Sequence, residues 1–125
     1  MTILSMIYLH IVDDFVLQKL GCLAMLKQKE WWTAQKEYKP LYKYDYIVAL
    51  LIHSFSWAFM IMLPIAAKFD FDVSVSFYIA LLINTLIHCI VDDLKANKGK
   101  INLVVDQSIH IIQIVVTGLI FTKGV

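Results

Sequence analysis

Three pairs of residues in this chain set an imidazole and a carboxylate four positions apart: His10 with Asp14, His88 with Asp92 and, in reverse order, Asp106 with His110. On a helix, positions four apart lie one above the other, so the two side chains of each pair point the same way. Two ligands placed like this can grip one metal ion, as the two histidines of the H-E-x-x-H helix do. With eight aspartates in the chain, chance would give three of the four histidines such a partner in roughly one case in a hundred. Mixed imidazole and carboxylate donors suit a divalent transition metal, zinc first and manganese or iron next, rather than calcium or magnesium. The remaining histidine, His53, stands alone in an apolar run.

The elements that must carry these residues are apolar. Hydrophobic residues make up 60% of the chain and mean hydropathy is +0.72, whereas ordinary globular chains sit at about 45–50%. The expectation is a single all-α integral-membrane domain, residues 1–125, built as a four-span helical bundle. Its spans would cover about residues 2–26, 46–67, 74–95 and 101–121, each near the ~20 residues that cross a bilayer. The first is the poorest on hydropathy because Asp13, Asp14, Gln18 and Lys19 interrupt it. A mid-span charge costs about 2.5–3.5 kcal/mol on insertion scales, so these groups should face the bundle interior or the interface. For the same reason no cleavable signal peptide is expected. Cys22 and Cys89 are expected to be small apolar fillers, not a disulfide.

The connections set the orientation. The stretch from Lys27 to Tyr44 interleaves five lysines with Trp31, Trp32, Tyr38, Tyr42 and Tyr44, and Pro40 should stop any helix there. Lysine with Trp and Tyr is the composition of a short interfacial segment at headgroup level. The same mixture can bind single-stranded nucleic acid; beside hydrophobic spans, and with a net charge of only +1, no nucleic-acid partner is expected. All eleven basic residues are lysine, which argues against a bidentate phosphate clamp. The first-to-second and third-to-fourth connections hold eight lysines and the middle turn one, so the positive-inside rule puts both termini outside the cytoplasm. In a bacterium the membrane would be the inner, cytoplasmic one.

Counted inward from the lysine-rich ends at about 1.5 Å per residue, His10, Asp14, His53, His88, Asp92, Asp106 and His110 all lie roughly 5–13 Å deep. Unrelated polar residues have no reason to share a depth, so one metal site of one or two ions is expected, with these seven as ligands. Asp14 or Asp92 could instead serve as general base, and His53 as a proton shuttle. Gln18, Asn84 and Gln107 share the inward faces and would orient the ligands. Lys95 is either an interfacial anchor or a neutraliser of substrate charge. Asp13 and Asp93 double the acids of their pairs; spacing favours Asp14 and Asp92 as the inward ones, leaving Asp13 and Asp93 as solvated helix-end charges. The plainer reading of each pair alone is a hydrogen bond that glues helices, worth about 0.6 kcal/mol in a membrane.

The set His10-x-x-x-Asp14-Phe15-x-Leu17-Gln18, His53, His88-x-x-x-Asp92-x-x-Lys95 and Asp106-Gln107-x-x-His110 resembles a family of small bacterial and phage integral-membrane proteins with no established activity. It is also distantly similar to the membrane-bound metal-dependent hydrolases, whose small bundles carry H-x-x-x-D motifs. That resemblance implies metal binding more than it implies any reaction. Together these readings favour a hydrolase acting on an anionic or phosphorylated small molecule or lipid at the cytoplasmic face. The alternatives are a metal-ion or proton-coupled transporter, and a binding or regulatory protein that the metal only stabilises. The apolar outer halves of the helices disfavour a monomeric pore; a homo-oligomer could build one between subunits.

Overall fold

The computed structural model describes residues 1–34 and 40–122. The chain runs as α1 (Thr2–Val12), a π-helical turn (Asp13–Leu17), α2 (Gln18–Leu20), α3 (Leu23–Leu26), α4 (Lys29–Thr33), a 3-10 turn (Pro40–Tyr42), α5 (Asp45–Lys68), α6 (Val75–Ala96) and α7 (Leu103–Thr122). No strand occurs among the described residues. Lys36, Glu37, Tyr38 and Lys39 of the lysine-rich connection lie outside them.

The organising element is α5, which packs most extensively against α6 and next against α1. Its buried residues are Ala49, Leu50, His53, Ser54, Trp57, Ala58, Ile61, Met62, Ile65 and Ala66. They form adjacent pairs repeating every four positions, which draws one stripe along the helix. The helix continues through Pro64 to Lys68. Met6, Phe77, Ile114 and Phe121 close around the later half of that stripe. The outward faces of α6 and α7 expose Ile79, Leu82, Ile83, Leu86, Ile90, Ile112 and Val116 instead. Polar groups inside and branched aliphatics outside invert the soluble pattern. Among the described residues, three helices (α5, α6 and α7) are long and apolar enough to cross a membrane.

The first expected span needs correction. The helical run from Thr2 ends at Leu20, not near residue 26: Gly21 leaves helical geometry and Cys22 takes a left-handed φ of 59°. Lys19 in the last turn with Gly21 just beyond is an ordinary stop signal. Cys22 is therefore an exposed turn residue rather than a filler, and both cysteines are free. Within the run, the π turn holds one extra residue per turn and rotates the residues after it about the helix axis. The α1–α7 contact is close at Gly118, where a Cβ would meet Ile3 Cγ1 at 2.5 Å and Met6 Sδ at 3.5 Å. At the other end the turn expected around Gly99 is present, with a φ of +59° at that glycine.

Candidate metal centre

Helices α1, α5, α6 and α7, with the π turn, bring all seven expected ligands to one end of the bundle, and six of them are essentially inaccessible, with Asp14 slightly less so. Two groups have their ligand atoms within 4.8 Å of one another: Asp14, His53 and His88, and His88, Asp92 and His110. His88 belongs to both. His10 and Asp106 flank the groups, with His10 Nδ1 at 3.5 Å from Asp14 Oδ2 and His110 Nε2 at 3.4 Å from Asp106 Oδ1.

Proton placement can be followed through the cluster. Asp92 Oδ2 lies 2.8 Å from His53 Nε2, and a carboxylate only accepts, so that nitrogen carries a proton. His88 Nε2, 2.9 Å from the same nitrogen, is then the bare acceptor, and neutral His88 is protonated at Nδ1. That atom lies 3.2 Å from His110 Nδ1 with the two rings stacked at 4.1 Å, so His110 Nδ1 is bare. Yet His110 Nδ1 also lies 3.2 Å from the carbonyl oxygen of Gln113, lone pair against lone pair. With that amide as oriented, no single-proton assignment over the three imidazoles meets every contact. In addition His53 Nδ1, His110 Nε2 and Asp106 Oδ1 are buried without a hydrogen bond among the described residues. A bare His110 Nδ1 puts that ring's proton on Nε2, facing Asp106 Oδ1 at 3.4 Å, so the lone pair left over is on His53 Nδ1; buried imidazoles and carboxylates this close together could hold a transition-metal ion.

His10 is held differently. Trp57 Nε1, a donor only, donates to His10 Nδ1 at 2.7 Å, which leaves the proton of His10 on Nε2 to be donated to Gln107 Oε1 at 3.1 Å. Gln107 Nε2 in turn donates to Asp106 Oδ2 at 3.0 Å and to Asp14 Oδ2 at 3.3 Å. Gln18 Nε2 donates to Asp14 Oδ1 at 2.6 Å. Both ring nitrogens of His10 are thus engaged, Nδ1 by Trp57 and Nε2 by the Gln107 amide that bridges Asp106 and Asp14. Asn84 stands farther along, where its amide donates to Thr117 Oγ1 at 3.0 Å and its oxygen accepts from Gln113 Nε2 at 3.2 Å.

Two lysines complete the cluster. Lys27 Nζ donates to Asp92 Oδ2 and reaches Gln18 Oε1 at 3.4 Å; Lys95 Nζ donates to Asp106 Oδ2 at 2.5 Å. Lys27 is delivered by the turn after α3, which Asn97 clamps: its amide donates to Lys27 O at 3.1 Å and its oxygen accepts from Lys29 N at 2.7 Å. A cleft of about 330 Å³ opens here, lined by Asp14, Gln18, Lys27, Asp92, Lys95 and Gln107 among others. Just past the end of α6, Lys98 pairs with Asp93 at 2.8 Å, and that hydrogen bond holds the ammonium pKa above its ordinary value.

Two expectations change. Asp13 is not a solvated charge: it is buried and accepts a hydrogen bond from Ser56 Oγ at 2.9 Å. The π turn is the physical reason, because its extra residue per turn changes the direction of Asp13 relative to Asp14 and brings both inward. Lys95 is more than an anchor, since it pairs with Asp106. Sequence spacing did not single out Trp57 or Lys27. Trp57 follows His53 by four residues and stacks on His88 at 4.2 Å, so a face-sharing signal was available to find it. Nothing local marks Lys27, whose partner lies 65 positions away.

No curated protein and no solved structure matches this chain. Residues 2–124 match the family model described as a protein of unknown function (DUF3307), and the chain belongs to that family.

Proposed function

We propose that this protein is a four-span, membrane-embedded, metal-dependent hydrolase acting on an anionic, phosphorylated substrate at the cytoplasmic face of a bacterial inner membrane. The run from Thr2 to Leu20 supplies the fourth crossing beside α5, α6 and α7, its acids turned inward where their cost is lowest. The lysine-rich connections, including Lys27, Lys95 and Lys98, favour the cytoplasmic side for the cleft.

The observation that carries the reading is the pairing of cleft and cluster. Each ligand group offers three protein donors, the number found in catalytic rather than closed structural sites. Asp14 and Asp92 line the cleft, so one ligand of each group borders it. Zinc, manganese or iron held there would supply an acidified water and a Lewis acid for the scissile group. Lys27 and Lys95 hold the substrate anion, and Gln18 and Gln107 orient Asp14. With His88, Asp92 and His110 holding the ion, Asp14 or His53 would be free to take a proton from the attacking water. His10, fixed by Trp57, keeps Gln107 in register. His88, shared by both groups, admits one ion or two.

A transport reading has one observation in its favour: Gln113, Asn84 and Thr117 continue a line of polar contacts from His110 toward the other end. They stop at Ile114, Phe77 and Phe121, which are packed apolar residues. Elemental analysis of detergent-purified wild type beside His88→Ala is the test. At least one equivalent of metal is expected in the wild type and a loss in the variant; under one equivalent in both sinks the proposal. Hydrolysis of a panel of phospho-compounds, set against ion flux in liposomes, separates enzyme from carrier.

A further inference from the structure

We infer that the anion taken by this cleft is the phosphate headgroup of a lipid, which enters sideways from the bilayer with its acyl chain lying along α7. The inference rests on the function proposed for this site and narrows its substrate to a membrane amphiphile. Two cavities that share their lining carry it. The polar cleft holds Asp14, Lys27, Asp92 and Lys95, and Leu103 and Gln107 are its α7 wall. The same two residues begin a second, apolar groove of about 630 Å³, which continues along α7 past Val104, Ser108, Ile111 and Ile112.

The groove suits a hydrocarbon chain in both chemistry and length. Leu103, Val104 and Ile112 are each more than half exposed. The Ser108 hydroxyl is turned back onto Val104 O at 2.7 Å, and the Gln107 amide donates to Asp14 and Asp106. Neither polar residue of the groove therefore offers it a free donor. From Leu103 to Ile112 the groove spans about 14 Å at the helical rise, close to half of the ~30 Å hydrocarbon core. A chain whose head sits in the cleft thus stays within its own leaflet. At the head end, Lys95 is about a quarter exposed and gives Asp106 one of its three ammonium protons, leaving others for phosphate oxygens. Cleavage there would join the oxygen of water to phosphorus and break the ester P–O bond, the lipid alcohol leaving with a proton from that water. The groove between α6 and α7, around Ile83, Ile87, Ile109 and Val116, shares no lining residue with the cleft and serves as the control.

Spin-labelled phosphatidic acid compared with spin-labelled phosphatidylcholine in nanodiscs reads the site without turnover. The wild type should immobilise phosphatidic acid in preference, by about fivefold per lysine. Lys95→Met should lower that preference about fivefold. Ser108→Trp and Val104→Trp, at exposed positions where the added ring fills the groove, should abolish it, and Val116→Trp should keep it. Glycerol phosphate, a headgroup without its chains, should compete at least about tenfold less well than a short-chain phosphatidic acid. Equal retention of the two lipids by the wild type, or a preference that both groove variants leave intact, overturns the lipid site. Phosphate release is then followed with Co²⁺, a visible stand-in for zinc. Release from glycerol phosphate without any lipid preference overturns the lipid inference and leaves the hydrolase standing. A lipid preference lost in the groove variants, with no release from phosphatidic acid in the wild type, sinks the hydrolase and leaves the lipid site.

Discussion

The two halves of α5 share one buried stripe and use it in opposite ways. From His53 to Trp57 the stripe meets partners by direction: His53 against Asp92, Ser56 on the flank donating to Asp13, Trp57 donating to His10. From Ala58 to Ala66 it meets Met6, Phe77, Ile114 and Phe121 by shape alone. The helix geometry is the same in both, so backbone regularity does not distinguish a site from its scaffold. What distinguishes them is tolerance. A packed apolar contact loses energy in proportion to the gap opened, whereas a buried ion that loses its partner leaves the desolvation of the other uncompensated.

The most severe test of this contrast is a pair of truncations, one in each half. Asp92→Ala strands Lys27 and should cost about 3–5 kcal/mol of stability together with the metal. Ile65→Ala should cost about 2–5 kcal/mol through its cavity and leave the metal content unchanged. Thermal melting plus elemental analysis of both reads the difference, and metal loss in Ile65→Ala would show that the halves are not separable. A smaller effect is expected at the α1–α7 contact. Gly118→Leu forces Ile3 aside and should cost about 1–3 kcal/mol by overpacking, with the α5–α6 half of the site, His53 and Asp92, still able to bind Co²⁺. An unchanged melting temperature would mean that α1 and α7 do not depend on this approach. The smallest effect is expected from Trp57→Phe, which keeps a ring on His88 but deletes the donor to His10. A loss of about 1 kcal/mol with a weakened substrate response is expected; wild-type behaviour in both would remove the orienting role of His10.

Much of the fold and of the site is legible in the residues alone. The four-residue spacing of His88 with Asp92 and of Asp106 with His110 lies within single regular helices, so their shared faces follow from helical pitch. The limits of α5, α6 and α7 lie within a residue or two of expectation because polar residues flank each apolar run in the sequence. The first span reads too long from hydropathy because apolar residues continue past Gly21 and mask the stop signal there. Asp13 reads as outward only under a 3.6-residue period, and one π turn voids that period.

Residue types and their intervals along the chain were enough to place imidazoles and carboxylates on common helix faces, at common depth, within an apolar bundle. That information is local, since pitch converts spacing directly into direction. The position of His88 between His53 and His110, the reach of Lys27 to Asp92 across 65 positions, and the fixing of His10 by Trp57 came only with the assembled bundle. Those contacts depend on the rotation and height of each helix against its neighbours, which packing of the whole bundle sets and no single segment encodes.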